Sequence, residues 1–296
     1  TTEIYTLSLH DALPILHEML VVPDDVNLFF VGDIHGCNDM LEDALKLAGY
    51  KEKRDYVVCV GDLIDRGPQN LQVLAKFLYN PRFRSVRGNH DQFMIAGDYA
   101  NWMYNGGMWA MNDLDTDTIK GIAEDMAAKM PVFMTVLHRG KKYGVVHGGI
   151  PFQYKDAGFD VHTPNWDDII DHIAASENDP NDHPSYYIEP YLWDRDVIQE
   201  IGFHLSKQGA EHPYFQRYAG FKDELTVEVP EVENVDFVFH GHTGVPYPIL
   251  YKNRVYLDTG GVFNGQLTIA QVNDEAGKIM TFTTDKNDSC GVHRIL

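Results

Sequence analysis

Apolar residues follow two rhythms along this chain. Up to Pro131, short and mostly apolar runs alternate with amphipathic stretches. Residues 26–31 (VNLFFV) stop at Gly32, 56–60 (YVVCV) at Gly61 and 83–87 (FRSVR) at Gly88. Runs this short, rich in β-branched and aromatic residues and closed by glycine, predict strands. Between them, 38–47 places Met40, Leu41, Ala44 and Leu45 on one side, with Asn38 or Asp39 available as a cap. It predicts a helix, and a second follows at 70–79. Apolar strands alternating with helices predict a largely parallel sheet covered on both faces. Beyond Pro131 strands come in series: 132–138, a turn at Arg139-Gly140-Lys141, 143–147, then 235–240, 249–257 with a hairpin turn near Lys252-Asn253, and 266–272. The class expected is α/β, with α+β character in the C-terminal half.

Residues 152–230 break both rhythms. They contain ENDPNDHPSYY and many aromatics, among them Trp166, Tyr186, Tyr187, Tyr191, Trp193, Tyr214, Phe215 and Tyr218, with little strand pattern. An insertion between core strands is expected there, a cap that shapes a substrate pocket or covers the surface. At the other end, residues 6–15 (TLSLHDALPI) match one reading frame of a common sequencing-library adapter. Residues 1–16 are therefore expected to be a non-native or disordered extension, and His10 and Asp11 are given no role. Residues 17–296 are expected to form a single domain.

Charge narrows the partners. With 44 acidic against 24 basic residues the formal net charge is −20, which argues against a nucleic-acid backbone or an anionic membrane as the partner. No apolar run is long enough to span a bilayer. Cys37, Cys59 and Cys290 are scattered without a C-x-x-C spacing, so reduced thiols and a cytoplasmic location are expected. An acidic enzyme acting on anions would need concentrated local positive charge.

That charge has a place to gather. The predicted strands end in GDIHG (32–36), GDLIDRG (61–67), RGNHD (87–91), HGG (147–149) and HGHT (240–243). Asp33 and His35 lie two apart, so on an extended strand end they point the same way. A carboxylate and an imidazole converging beside glycines suit a divalent metal, although an isolated pair is more often an Asp–His hydrogen bond at a turn. Strand carboxyl ends are where open α/β sheets build sites. Five such ends would deliver Asp33, His35, Asp62, Asn89, His90, His147 and His242 to one rim.

This set resembles the calcineurin-like metallophosphoesterases, and within them it is similar to the bacterial and phage-type (lambda-like) serine/threonine protein phosphatases. NGG at 105–107, LWDR at 192–195 and DTGGVFNGQLT at 258–268 support the resemblance, which spans residues 27–272. It implies a two-sheet β-sandwich flanked by helices. It implies a binuclear centre in which Asp33 and His35 hold a first metal, Asp62 bridges, and Asn89, His147 and His242 complete the second. Mixed N/O donors favour Mn²⁺, with Fe, Zn or Ni also compatible. His90 would protonate the leaving group, with Asp65 fixing its tautomer. Arg66 and Arg195 would grip phosphate oxygens. Arg87 is either a further phosphate contact or a structural ion pair. The implied activity is hydrolysis of phosphoserine and phosphothreonine, or of small phosphoesters, by direct attack of a metal-bound hydroxide.

Two departures matter. Gly241-His242-Thr243-Gly244 lacks the second histidine of the G-H-x-H loop common in the superfamily, and His240 is the alternative ligand that would restore an H-x-H pair. GNHD stands where eukaryotic protein phosphatases have GNHE. Diadenosine tetraphosphatases are similar over the same motifs but typically lack the aspartate of DRG, present here as Asp65. A non-catalytic scaffold is the third reading, and it ranks last because every expected ligand is present.

Overall fold

The apolar runs become strands, and the strands form two sheets. The computed structural model describes residues 15–152, 163–177, 184–209, 211–216, 228–273, 278–284 and 291–294. Its strands are β1 (His17–Val21), β2 (Leu28–Val31), β3 (Tyr56–Cys59), β4 (Phe83–Ser85), β5 (Phe133–His138), β6 (Lys141–Val146), β7 (Phe237–His240), β8 (Ile249–Tyr251), β9 (Arg254–Tyr256), β10 (Thr268–Asn273), β11 (Lys278–Thr283) and β12 (Gly291–Arg294). One sheet has the order β1-β5-β6-β7-β9-β8 and the other β12-β11-β10-β2-β3-β4. Strands β2, β3 and β4 are parallel, as the alternation with helices required. The other strands, expected in series, complete the two-sheet arrangement that the resemblance implied. The short turn at Arg139-Gly140 and the hairpin at Lys252-Asn253 allow only antiparallel neighbours, β5–β6 and β8–β9. Strand β10 then enters antiparallel beside β2. Two-residue turns cannot carry a parallel crossover. Strands β1, β11 and β12 have no counterpart in the sequence reading.

The continuous apolar strands are explained by what covers each face. Phe30, Val58, Val60 and Ala270 of one sheet meet Met134, Val136, Tyr143, Phe239 and Val255 of the other. Phe30 stacks on Phe239 with centroids 3.8 Å apart. Their neighbours of opposite parity, Phe29, Val31, Val57 and Cys59, face helices through Leu41, Leu45, Val73, Phe77 and Trp102. On the far side Phe133, Val146 and Val238 pack against Trp166, Ile169, Ile173, Tyr191 and Leu192. The layers are therefore helix, sheet, sheet, helix, and every central strand is buried on both sides.

The described parts of 152–230 supply the last layer. Helices Trp166–Glu177, Pro184–Trp193 and Asp196–Lys207 lie against the first sheet, and Trp166 donates its indole N–H to Thr135 at 2.8 Å. Ile15 and Leu16 also belong to the fold: the Leu16 carbonyl accepts from the Val132 and Phe133 amides at 3.0 and 2.9 Å. Residues 1–14 of the adapter-like segment, and with them His10 and Asp11, lie outside the described residues, as do Tyr218 and Cys290.

Candidate metal centre and active site

Strand ends must crowd to make this site, and glycines let them. A Cβ on Gly88 would lie 2.0 Å from Asp62 Oδ1, and one on Gly241 would lie 2.1 Å from Asp33 Oδ1. Any side chain at either position would displace a carboxylate from the centre. The loops are also strained: His35, Asp62, Asp65, Arg66 and His242 all have positive φ, between 46° and 77°, where non-glycine residues are uncommon. Asp91 stabilises this crowding. Its buried carboxylate accepts from the backbone amides of Gly88 and Asp62, both at 2.8 Å, and of Leu63 at 3.1 Å, joining two strand ends.

At the centre, Asp62 is shared. One of its oxygens lies 3.4 Å from His35 Nε2 and the other 3.5 Å from His147 Nε2. Asn89 Oδ1 faces His147 Nε2 at 3.0 Å and His242 Nδ1 at 2.9 Å. Asp33 completes the group, with its oxygens 3.1 and 3.3 Å from the His242 amide. By proximity the donors fall into two sets, His35–Asp62–His90 and Asp33–Asp62–His147, each with its ligand atoms within 4.8 Å of one another. Asp62 is common to both, as a bridging carboxylate would be. The sets cut across the sequence-level division, pairing Asp33 with His147 and adding His90 to His35.

The donors fit a divalent metal on orientation. His35 and His147 each turn Nδ1 to a backbone carbonyl, Ile64 and Val60, both at 2.8 Å. Those bonds place the proton on Nδ1 and leave the Nε2 lone pairs facing inward. His147 Nε2 then points a lone pair at the Asn89 oxygen, an arrangement of two acceptors that a cation between them would relieve. Burial pushes the imidazoles down, His35 to about 3 and His147 and His242 below their usual range, so all three are neutral at pH 7. Burial, then Asp258 and Asp62, pushes Asp33 well above the usual carboxylate range. Clustered buried carboxylates of this kind demand positive charge.

Beside the donors stands a separate dyad. His90 Nδ1 is 2.7 Å from Asp65 Oδ2, with both side chains buried. The Asp65 carboxylate also accepts from the indole N–H groups of Trp102 and Trp109, each at 2.9 Å to Oδ1. Neither tryptophan was singled out from the sequence. They flank the NGG turn, and Gly107 lies against the Trp102 ring. Asp258, also missed, is buried against the centre, and burial raises its carboxyl to about 6. Its only sequence signal was its place at the head of DTGG.

The arginines separate. Arg66 Nη1 donates to His35 Nε2 at 2.6 Å. Arg195 lies exposed at the rim, with Nη1 3.4 Å from the Thr243 hydroxyl, and Trp193 two residues earlier meets the His242 ring edge-on at 5.6 Å. Arg87 is buried. Its guanidinium donates to the carbonyls of Met130, Ile15 and Ala127 and to the Gln92 side chain, and no site residue is among these partners. His240 turns Nδ1 to the Val146 carbonyl at 3.2 Å and stacks on Tyr256, and it belongs to neither donor set.

Known proteins align with these features. A serine/threonine-protein phosphatase 1 of Salmonella typhimurium is 26% identical over 251 residues, covering 83% of this chain and 92% of its own length. A symmetrical bis(5'-nucleosyl)-tetraphosphatase of Nitrosococcus oceani is 28% identical over 275 residues, covering 84% and 94%. A protein serine/threonine phosphatase structure from Saccharomyces cerevisiae superposes with a TM-score of 0.56 at 13% identity, covering 93% of this chain and 86% of that one, which shows the shared fold. The family model described as calcineurin-like phosphoesterase matches residues 26–246. That span takes in every strand end from Asp33 to His242, and the chain accordingly belongs to the calcineurin-like phosphoesterases as a metal-dependent phosphoester hydrolase.

Proposed function

We propose that the chain is a two-metal phosphomonoesterase acting on phosphoserine and phosphothreonine in proteins. The observation that carries this reading is the His90–Asp65 dyad, held at 2.7 Å beside the donor cluster. In the proposed assignment Asp33 and His35 would hold one ion, Asn89, His147 and His242 the other, and Asp62 would serve both, with Mn²⁺ the preferred metal. Such a pair supplies Lewis acidity and an activated water at neutral pH. The protein's own work is then positional. Arg66 and Arg195 align the phosphate oxygens. As the bond between phosphorus and the ester oxygen breaks, His90 Nε2 gives its proton to the leaving alkoxide. Asp65 keeps the imidazole in place and offsets its charge before the transfer. From the described part of 152–230, Trp193 and Arg195 reach this rim and are its contribution to the substrate side.

The phosphatase relative supports this substrate, and the tetraphosphatase relative supports a second one, a dinucleoside polyphosphate. Asp65 favours the first, because the tetraphosphatase branch typically lacks it. The test is metal-stripped protein assayed with p-nitrophenyl phosphate, bis-p-nitrophenyl phosphate, a phosphothreonine peptide and diadenosine tetraphosphate, with and without Mn²⁺. Mn²⁺-dependent monoester and phosphopeptide turnover, lost in His90→Asn, is the expected result. Faster turnover of the dinucleotide than of the peptide would replace this reading with the second.

A further inference from the structure

Arg66 is anchored in two ways that cannot both persist in a metal-loaded site. Its guanidinium donates to His35 Nε2 at 2.6 Å, and its Cζ lies over the ring of Phe263, 5.1 Å from the centroid. Its stem is hemmed in by Gly106, where a Cβ would come within 3.1 Å of Arg66 Cγ. Among the described residues it has no ion pair with a carboxylate. His35 Nε2 carries one lone pair, and the ligand assignment above gives that lone pair to a metal. Arg66 then keeps the face of Phe263 and the longer-range attraction of the Asp33 and Asp258 carboxyls.

Phe263 is oddly placed for an apolar side chain. It is 69% exposed, on the one-turn helix Gly261–Asn264. That turn is pinned between Gly260 and Gly265, both in the left-handed region at φ 77° and 75°. Exposure alone would be unremarkable. A ring within about 6 Å of a guanidinium is a cation–π contact, in which the negative ring face attracts the cation. Such a contact holds the cation without using its N–H groups, which stay free for the oxygens of a tetrahedral oxyanion.

We infer that Phe263 is a positioning residue for phosphate: its ring holds the Arg66 guanidinium at the mouth of the site once His35 has turned to the metal. The inference rests on the reading of Arg66 as a phosphate clamp. It is tested with Mn²⁺-loaded protein by calorimetric titration of inorganic phosphate, together with kcat and KM for p-nitrophenyl phosphate. Phe263→Leu keeps an apolar side chain but removes the ring, and is expected to weaken phosphate binding about 3- to 30-fold. KM should rise in parallel while kcat stays within about threefold. Phe263→Tyr keeps the ring and should bind phosphate within about twofold of wild type. In an Arg66→Ala background Phe263→Leu should add nothing. If Phe263→Leu binds phosphate as wild type does while Arg66→Ala does not, or weakens it equally without Arg66, the inference is overturned and the clamp stands. If Arg66→Ala itself leaves phosphate binding intact, the clamp falls and the inference with it.

Discussion

Asp65 and Arg66 are neighbours in one turn, and the fold treats them oppositely. Asp65 is fully buried and receives His90 and two indole N–H groups at 2.7 to 2.9 Å. Arg66 has one imidazole nitrogen and one exposed ring to hold it. Consecutive positive φ values, 77° and 70°, make the divergence possible by throwing the two side chains to different sides of the turn. A group that must orient a proton donor gains from rigidity, since misplacement costs rate. A group that grips an incoming oxyanion must still admit it. The same contrast separates Arg87, tied to carbonyls in the core, from Arg195 at the rim.

The largest break in this comparison should come from Asp65→Asn, which keeps shape and burial but loses the charge that supports His90. We expect kcat to fall about 10²- to 10⁴-fold with metal content by mass spectrometry unchanged; a variant that keeps its rate would remove Asp65 from the mechanism. Trp102→Phe withdraws one donor from a buried carboxylate. It should cost about 1–3 kcal/mol in urea unfolding and lower kcat roughly tenfold, whereas the half-buried Trp109 should give a smaller loss. The two arginines should then part company. Arg195→Ala should raise KM about tenfold with stability within about 0.5 kcal/mol of wild type. Arg87→Met should leave KM alone and lower stability by about 2–3 kcal/mol, because the carbonyls it satisfies become orphans. Equal kinetic effects in the two would erase the distinction.

A change confined to pH dependence concerns Asp194, beside Arg195. Burial, then Asp196, raises its carboxyl to about 6. An acid whose pKa is raised by folding keeps its proton in the native state after the unfolded chain, at about 3.9, has lost it. Its contribution therefore falls as pH rises from about 4 to about 6, by up to about 3 kcal/mol, and is flat outside that window. Asp194→Asn should gain on wild type across the same interval in pH-dependent unfolding, and a constant difference would show that the shift is absent.

Much of the site could be read from the chain because each element announces itself locally. An apolar run, a glycine and then a polar donor recurs at Asp33, Asp62 and Asn89, with His147 placed just before its glycines, and the structure brings these four ends together with His242. What could not be read depends on long-range contacts. Trp102 reaches Asp65 across 37 residues and Trp109 across 44, and nothing in the helical periodicity around them points to a carboxylate. Asp258 enters the centre only because β9 leads out beside β7. Strand alternation permitted His240 as the alternative to His242, and in the structure His240 instead meets the Tyr256 ring and the Val146 carbonyl.

The sequence alone determined the local elements and the identity of the inward-facing donors, since period, turn residues and ligand chemistry all act within a few residues. Periodicity did not decide which strands share a sheet, and only the resemblance carried by the motifs implied two sheets, because a fully apolar strand is equally content against helices or against a second sheet. Nor could it rank the arginines. Whether a guanidinium meets carbonyls, an imidazole or solvent is settled by which surfaces close over it, and only the tertiary structure decides that.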